Sequence, residues 1–216
     1  MADVKICGLS TLDTLEVALV QGAAMVGLVF FAKSPRNVSL AQAVMLANHV
    51  RHHPSSRAKI VALVVDAEDG PLKEIAQRVR PDFIQAHGSE TPQRVSDIAA
   101  FTGIPVIKAI KVATALDVET AKQYEGRASM ILFDAKAPEV LADALPGGNG
   151  ISFDWSLLGD ETGYMLSGGL NPDNVAHAIS STGATLVDVS SGVETAPGRK
   201  DKTLIAKFIE AARTAR

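Results

Sequence analysis

Cysteine is nearly absent. The 216 residues hold only Cys7, which excludes an internal disulfide and a cysteine-rich zinc module. Aromatic residues make up only 5%, too few to build the stacked platforms that grip single-stranded nucleic acid. No basic excess exists either: the formal net charge is −3, which gives no general attraction for nucleic acid or anionic membranes. An anionic ligand must therefore be held by local features. No apolar run reaches the roughly 18–20 residues that span a bilayer. The N-terminus shows no basic stretch leading into an apolar one. These absences set an expectation of a soluble, cytoplasmic protein with neither nucleic acid nor membrane as partner.

What is present is periodic. Hydrophobic residues at 47% and charged residues at 21% are the proportions of a packed globule. Eight β-branched apolar runs occur at 4–7, 25–30, 60–65, 83–85, 106–110, 130–133, 164–166 and 186–189. Amphipathic helical stretches lie between them at 11–21, 39–51, 71–79, 92–101, 114–123 and 171–181, with a last one at 201–213. Ser39, Thr91-Pro92 and Asn171-Pro172 supply capping chemistry at helix starts. The sixth unit departs from the pattern: 135–163 turns Pro/Gly-rich ("PGGNG"), and only "DWSLL" reads as helical. No linker, charge block or repeat divides the chain, so a single domain over 1–216 is expected. Alternating strands and helices imply parallel pairing through right-handed crossovers, and eight units imply a (β/α)8 TIM barrel. An open doubly wound sheet would want a GxGxxG turn after the first strand, and "CGLSTLDT" does not provide one.

In such a barrel the active face lies at the C-terminal ends of the strands. Cys7 ends the first strand and Arg36 follows the second. Gln85 and His87 end the fourth, and Asp134 ends the sixth. Gly168-Gly169 follows the seventh, and Ser190-Ser191-Gly192 follows the eighth. Each has an ordinary reading beside a functional one. Cys7 is a small buried hydrophobe, or a base if dipoles or a cation stabilise its thiolate. Asp134 is a carboxylate tied to a loop start, or a general acid whose pKa is raised by burial. Arg36 is a solvated loop charge, or a planar clamp for a carboxylate. His87 suits a hydrogen-bond donor or a packing residue. The two glycine turns are plain turns, or together the phosphate site that often follows strands 7 and 8. His49, His52 and His53 cluster at a helix end without nearby carboxylates, so no metal site is expected there. Lys5 and Asp188 alternate with apolar neighbours and could pair inside the barrel.

These segments resemble the phosphoribosylanthranilate isomerase family of tryptophan biosynthesis. "KICGL", "GLVFFAKSPRNVS", "QAHGSE", "ILFDA", "GGNGISFDW", "LSGGLNPDNV" and "DVSSGVETAPGRKD" occur in the family's order over essentially the whole chain. The resemblance implies a (β/α)8 barrel that performs an Amadori rearrangement of an aminoaldose to a ketose sugar phosphate. It implies Cys7 as general base, Asp134 as general acid and Arg36 on the anthranilate carboxylate. Gly168, Gly169, Ser191 and Gly192 fall on the phosphate site; His87, from its own place at the end of the fourth strand, is also expected at the substrate. No metal or cofactor is implied, and the chain would be a monomer or homodimer. Two segments depart from the family: "QAHG" has Ala86 for a larger residue, and the 147–155 segment has Asn149 and Ile151 where others are more frequent.

Three alternatives compete. The histidine-pathway aminoaldose isomerase does similar chemistry but carries an aspartate where Cys7 stands. A Schiff-base lyase or aldolase would need a buried strand lysine, for which Lys108 is the candidate. A non-catalytic sugar-phosphate binder would tolerate exchange of both Cys7 and Asp134.

Overall fold

Eight parallel strands close in sequence order into a barrel. They are β1 (Asp3–Cys7), β2 (Met25–Phe30), β3 (Lys59–Val64), β4 (Phe83–Ala86), β5 (Val106–Val112), β6 (Met130–Ala135), β7 (Met165–Leu166) and β8 (Leu186–Val189). The computed structural model describes residues 1–136, 147, 148 and 150–215. Each expected strand is found, with ends shifted by at most two residues. Pro146 and Asn149 of the "PGGNG" segment lie outside the described residues.

The helices are α1 (Leu12–Val20), α2 (Leu40–His52), α3 (Asp69–Glu74), α4 (Pro92–Thr102), α5 (Ala115–Glu119), α6 (Val175–Thr182) and α7 (Lys202–Thr214). Ser39 caps α2 by accepting from the Gln42 amide, and Thr91 caps α4 by accepting from the Arg94 amide. Asn171 behaves otherwise. Its side chain accepts from the amides of Asp173 and Asn174, capping a turn, and α6 begins only at Val175. The expected 71–79 helix changes character midway. Its second half, Ile75–Val79, is a π-helical turn closed by Arg80 in the left-handed region. In place of a sixth helix, "DWSLL" forms one 3-10 turn at Trp155–Leu158.

Strand side chains alternate between faces, and the sequence divides accordingly. Outward residues such as Val4, Ile6, Phe133 and Val187 meet the helices in the large core. Inward residues Met25, Val61, Ile107, Leu132, Met165 and Leu186 fill the barrel floor. Ala86 faces outward in the helix-side core, away from the barrel interior. Lys108 also points away from the interior, where its Nζ pairs with Glu90 at 2.8 Å and donates to the Gly88 carbonyl. A Schiff-base role for Lys108 is thereby corrected: its strand parity turns it from the mouth.

A two-stranded hairpin, β9 (Glu194–Ala196) with β10 (Arg199–Lys200), follows β8 after the 3-10 turn Ser191–Val193. The sequence pattern gave no sign of it. Two- and three-residue strands are too short to show a period.

Candidate active site

Above the apolar floor, the inward positions turn polar. In the β1–β8 register Lys5 lies opposite Asp188, and their side chains pair at 2.8 Å in full burial. Ser167 at the end of β7 donates to the other Asp188 oxygen at 3.2 Å. One pleat higher stand Cys7, His87 and Asp134, the next inward residues of their strands. They line a single cavity at the C-terminal mouth together with Arg36, Gly147, Gly148, Ser167, Gly168, Gly169, Ser190 and Ser191.

Cys7 is free and buried. Gly27 lies directly opposite it in β2, and a Cβ there would come within 2.8 Å of Sγ. Burial pushes the thiol above its ordinary value. The Lys5 charge opposes this, Asp188 adds to it, and Lys200 opposes it. Two cations therefore act on Cys7, Lys5 from the same face of β1 and Lys200 from the hairpin, but desolvation wins. Burial alone would lower Lys5, yet Asp188 and Cys7 hold it above its ordinary value.

Asp134 belongs to a chain of side-chain hydrogen bonds. The Gln85 amide nitrogen lies 2.8 Å from His87 Nδ1, which makes Nδ1 the acceptor and leaves the proton on Nε2. Nε2 then donates to Asp134 Oδ2 at 3.1 Å, while Oδ1 accepts from the Ala135 amide at 3.0 Å. His87 thus touches the carboxylate directly. Gly147 closes over this pair, since a Cβ there would sit 2.6 Å from Nε2 and 2.8 Å from Oδ2.

Arg36 is buried, not solvated. Its Nε and Nη2 each donate to Glu194 at 2.8 Å, and Nη2 also reaches the Gly148 carbonyl. Its stem crosses Gly8, where a Cβ would approach Cδ to 2.7 Å. Gly8 makes room for this arginine. Glu194 and Lys200, whose side chains are buried, are the functional candidates that sequence reasoning missed. Each belongs to the unforeseen hairpin.

Gly168 and Gly169 both adopt positive φ, at 90° and 64°. Cβ atoms there would strike the Ala135 amide and the Ser152 amide, so only glycine fits this turn. Ser191 lines the cavity with them; Gly192 lies just behind, against the Leu170 and Asn171 backbone. The histidine cluster is remote from this mouth. Contrary to expectation a carboxylate is near it: Glu16 contacts His49 at 2.6 Å and His53 at 3.3 Å. Among the described residues no group of three or more His, Cys, Asp or Glu side chains is placed to hold a metal, and no helix is long and apolar enough to cross a membrane.

A family model for N-(5'phosphoribosyl)anthranilate (PRA) isomerase matches residues 4–211. The N-(5'-phosphoribosyl)anthranilate isomerase of Parvibaculum lavamentivorans is 52% identical over 215 residues, covering 98% of each chain. That of Rhizobium meliloti is 51% identical over 216 residues, covering 99% of this chain and 98% of the relative. Among solved structures, the phosphoribosyl anthranilate isomerase of Thermotoga maritima superposes with a TM-score of 0.85 at 37% identity, over 99% of both chains. Another phosphoribosyl anthranilate isomerase structure contains reduced 1-(o-carboxyphenylamino)-1-deoxyribulose 5-phosphate. It superposes with a TM-score of 0.82 at 35% identity, again over 99% of both chains. Matched from one end of its barrel to the other, this chain belongs to the N-(5'-phosphoribosyl)anthranilate isomerase family and is an isomerase of tryptophan biosynthesis.

Proposed function

We propose that the chain, as one barrel domain, converts N-(5-phosphoribosyl)anthranilate to 1-(2-carboxyphenylamino)-1-deoxyribulose 5-phosphate with Cys7 as general base and Asp134 as general acid. The observation that carries this reading is that both residues line one cavity, on β1 and β6, beside Arg36 and two glycine turns. Asp134 gives a proton to the ring oxygen. The C1–O bond breaks as the anilino nitrogen pushes in its lone pair, and a protonated Schiff base results. Cys7 thiolate takes the proton from C2, and the electron pair moves to form the C1–C2 double bond of an enolamine. Transfer of the C2 hydroxyl proton to C1 yields the ketose. The sugar gains and loses no atoms, and exchange with water returns the proton from Cys7 to the Asp134 carboxylate, which restores both groups.

The substrate carries two anions, and the mouth offers two places for them. The amides and hydroxyl of Gly168, Gly169, Ser191 and Gly192 suit the phosphate, because small residues let backbone N–H groups approach closely. Arg36 suits the carboxylate. The burial of Cys7 bears on the rate. With its thiol pushed up, only a small fraction is thiolate at neutral pH, and Lys5 and Lys200 are what keep that fraction from vanishing. The cytoplasm is the compartment we infer for this reaction.

The test follows the loss of anthranilate-type fluorescence as purified protein consumes phosphoribosylanthranilate. Wild-type protein should turn over, and Cys7→Ala should be slower by at least about 10³-fold, the scale of a lost proton-transfer group. Absence of wild-type turnover, or full rate in Cys7→Ala, defeats the assignment.

A further inference from the structure

Three charged side chains meet at the rim of the cavity, on elements far apart in sequence. Arg36 follows β2, Glu194 opens β9 and Lys200 ends β10, and their side chains are only 5, 3 and 2% exposed. Glu194 is saturated. Oε1 accepts from Arg36 Nε at 2.8 Å and Lys200 Nζ at 2.7 Å; Oε2 accepts from Arg36 Nη2 at 2.8 Å and the Gly198 amide at 3.2 Å. Burial would push this carboxyl up, yet the hydrogen bonds from Arg36 and Lys200 hold it below its ordinary value. It is a firm anion.

Two consequences follow from counting charge and donors. Two cations and one carboxylate leave a buried net charge of +1, which is costly until an anion arrives. The open donor is specific as well. Glu194 occupies the Nε–Nη2 edge of the guanidinium, and Gly148 takes a further Nη2 hydrogen. Nη1 makes no hydrogen bond among the described residues and lies against Gly148, where a Cβ would approach it to 2.7 Å. Lys200, held by the same carboxylate, also donates to the Ser190 carbonyl at 2.8 Å and to Ser190 Oγ at 3.2 Å. Oγ in turn donates to the Cys7 carbonyl at 3.3 Å. The hairpin is anchored for this purpose. Gly198 sits so close to Pro35, next to Arg36, that a Cβ would reach the Pro35 carbonyl oxygen at 2.5 Å.

We propose that Glu194 is a positioning residue: one carboxylate that clamps the Nε–Nη2 edge of Arg36, so that Nη1 is presented to the substrate carboxylate, and holds Lys200 beside the end of β1. This rests on the reading of Arg36 as the partner of that carboxylate. An arginine whose fork is spent on glutamate grips its ligand from the side, through one nitrogen. Without Glu194 the guanidinium would be free to turn its fork elsewhere, and the buried excess charge would rise to +2.

The experiment compares two ligands by calorimetry: reduced 1-(2-carboxyphenylamino)-1-deoxyribulose 5-phosphate and the same compound without its carboxyl group. Removing the carboxyl should cost wild-type protein about 10- to 100-fold in affinity, the worth of a charge-assisted hydrogen bond. In Glu194→Gln the ratio should fall to within about threefold, because the amide NH2 opposes the donors of Arg36. Affinity for the decarboxylated ligand should stay within about threefold of wild type. Glu194→Asp, which keeps the charge but retracts it by one methylene, should lose the ratio too and guards against a fold-breaking effect of the neutral variant. A wild-type-like ratio in either variant overturns the role of Glu194. So does an equal loss of affinity for both ligands, which would mark a merely structural residue. A wild-type ratio near one is a different failure: it removes the Arg36 reading and this proposal with it.

Discussion

The two sides of the barrel mouth are built from different materials. On the β1 side, Cys7 stands among ions: Lys5 with Asp188 beneath it, Lys200 with Glu194 and Arg36 beside it. On the β6 side, Asp134 ends a hydrogen-bond chain that runs from Gln85 through His87. The difference matches the roles proposed for the two residues. The proposed base must carry negative charge before it acts, and in a buried site nearby cations support that charge. For the proposed acid the contacts are geometric: His87 and the Ala135 amide fix the direction of its two oxygens. Ions surround the first group, and directional hydrogen bonds aim the second.

The sharpest way to break the comparison is to remove each end. Asp134→Asn should lower kcat by at least about 10³-fold, as Cys7→Ala does, while inhibition by inorganic phosphate is unchanged. If either variant keeps a rate within tenfold of wild type, the mouth has one working side and the pairing of base with acid is lost.

The next effect falls on stability. Lys5→Met leaves Asp188 buried without its counter-charge, which should cost about 3–5 kcal/mol in urea unfolding, the usual result of breaking a buried pair. The same change removes a cation from Cys7 and should push its titration further up. A loss below about 1 kcal/mol would mean that the ions on the β1 side are not coupled as their geometry indicates.

The pH dependence separates the sides directly. As the proposed base Cys7 acts as thiolate, and burial pushes its pKa above the ordinary value of 9.0. Below that pKa the thiolate fraction, and with it kcat/KM, should rise about tenfold per pH unit. The rise should continue above pH 8, and Lys200→Met should carry the limb to higher pH. A profile flat from pH 7 to 9 would show that Cys7 is already ionised and that the cations outweigh burial.

Much of this molecule was legible in its residues. The eight strands and their order followed from β-branched runs. The mouth residues followed from asking which chemistry-bearing side chains end those runs. Lys5 and Asp188 were legible as a pair because strand parity set both inward. The hairpin was not legible, since neither β9 nor β10 is long enough to alternate, and Glu194 and Lys200 stayed hidden with it. The state of Cys7 was hidden for another reason. Its pKa is a contest between desolvation and charges from β1, β8 and the hairpin, and no local stretch contains all the contestants. Gly8 shows the same limit on a smaller scale: its neighbour in space is Arg36, 28 residues onward in the numbering.

His87 gives the finest test of the contrast, and the smallest effect. Sequence placed it at the substrate, but its Nε2 proton is directed to Asp134 Oδ2 at 3.1 Å, and its Nδ1 is occupied by Gln85 at 2.8 Å. Both ring nitrogens are therefore spent within the protein. On this geometry His87 is set to orient the proposed acid. His87→Asn shortens the side chain and breaks the bond to Asp134, while leaving Arg36 and the glycine turns untouched. A hydrogen bond of this kind is worth about 1 kcal/mol, so kcat should fall by roughly three- to tenfold. KM should not move. If KM rises and kcat holds, His87 releases Asp134 when substrate enters and bonds to the ligand instead. The acid would then be aimed by the substrate rather than by the protein, and the β6 side would differ from the β1 side in being assembled only on binding.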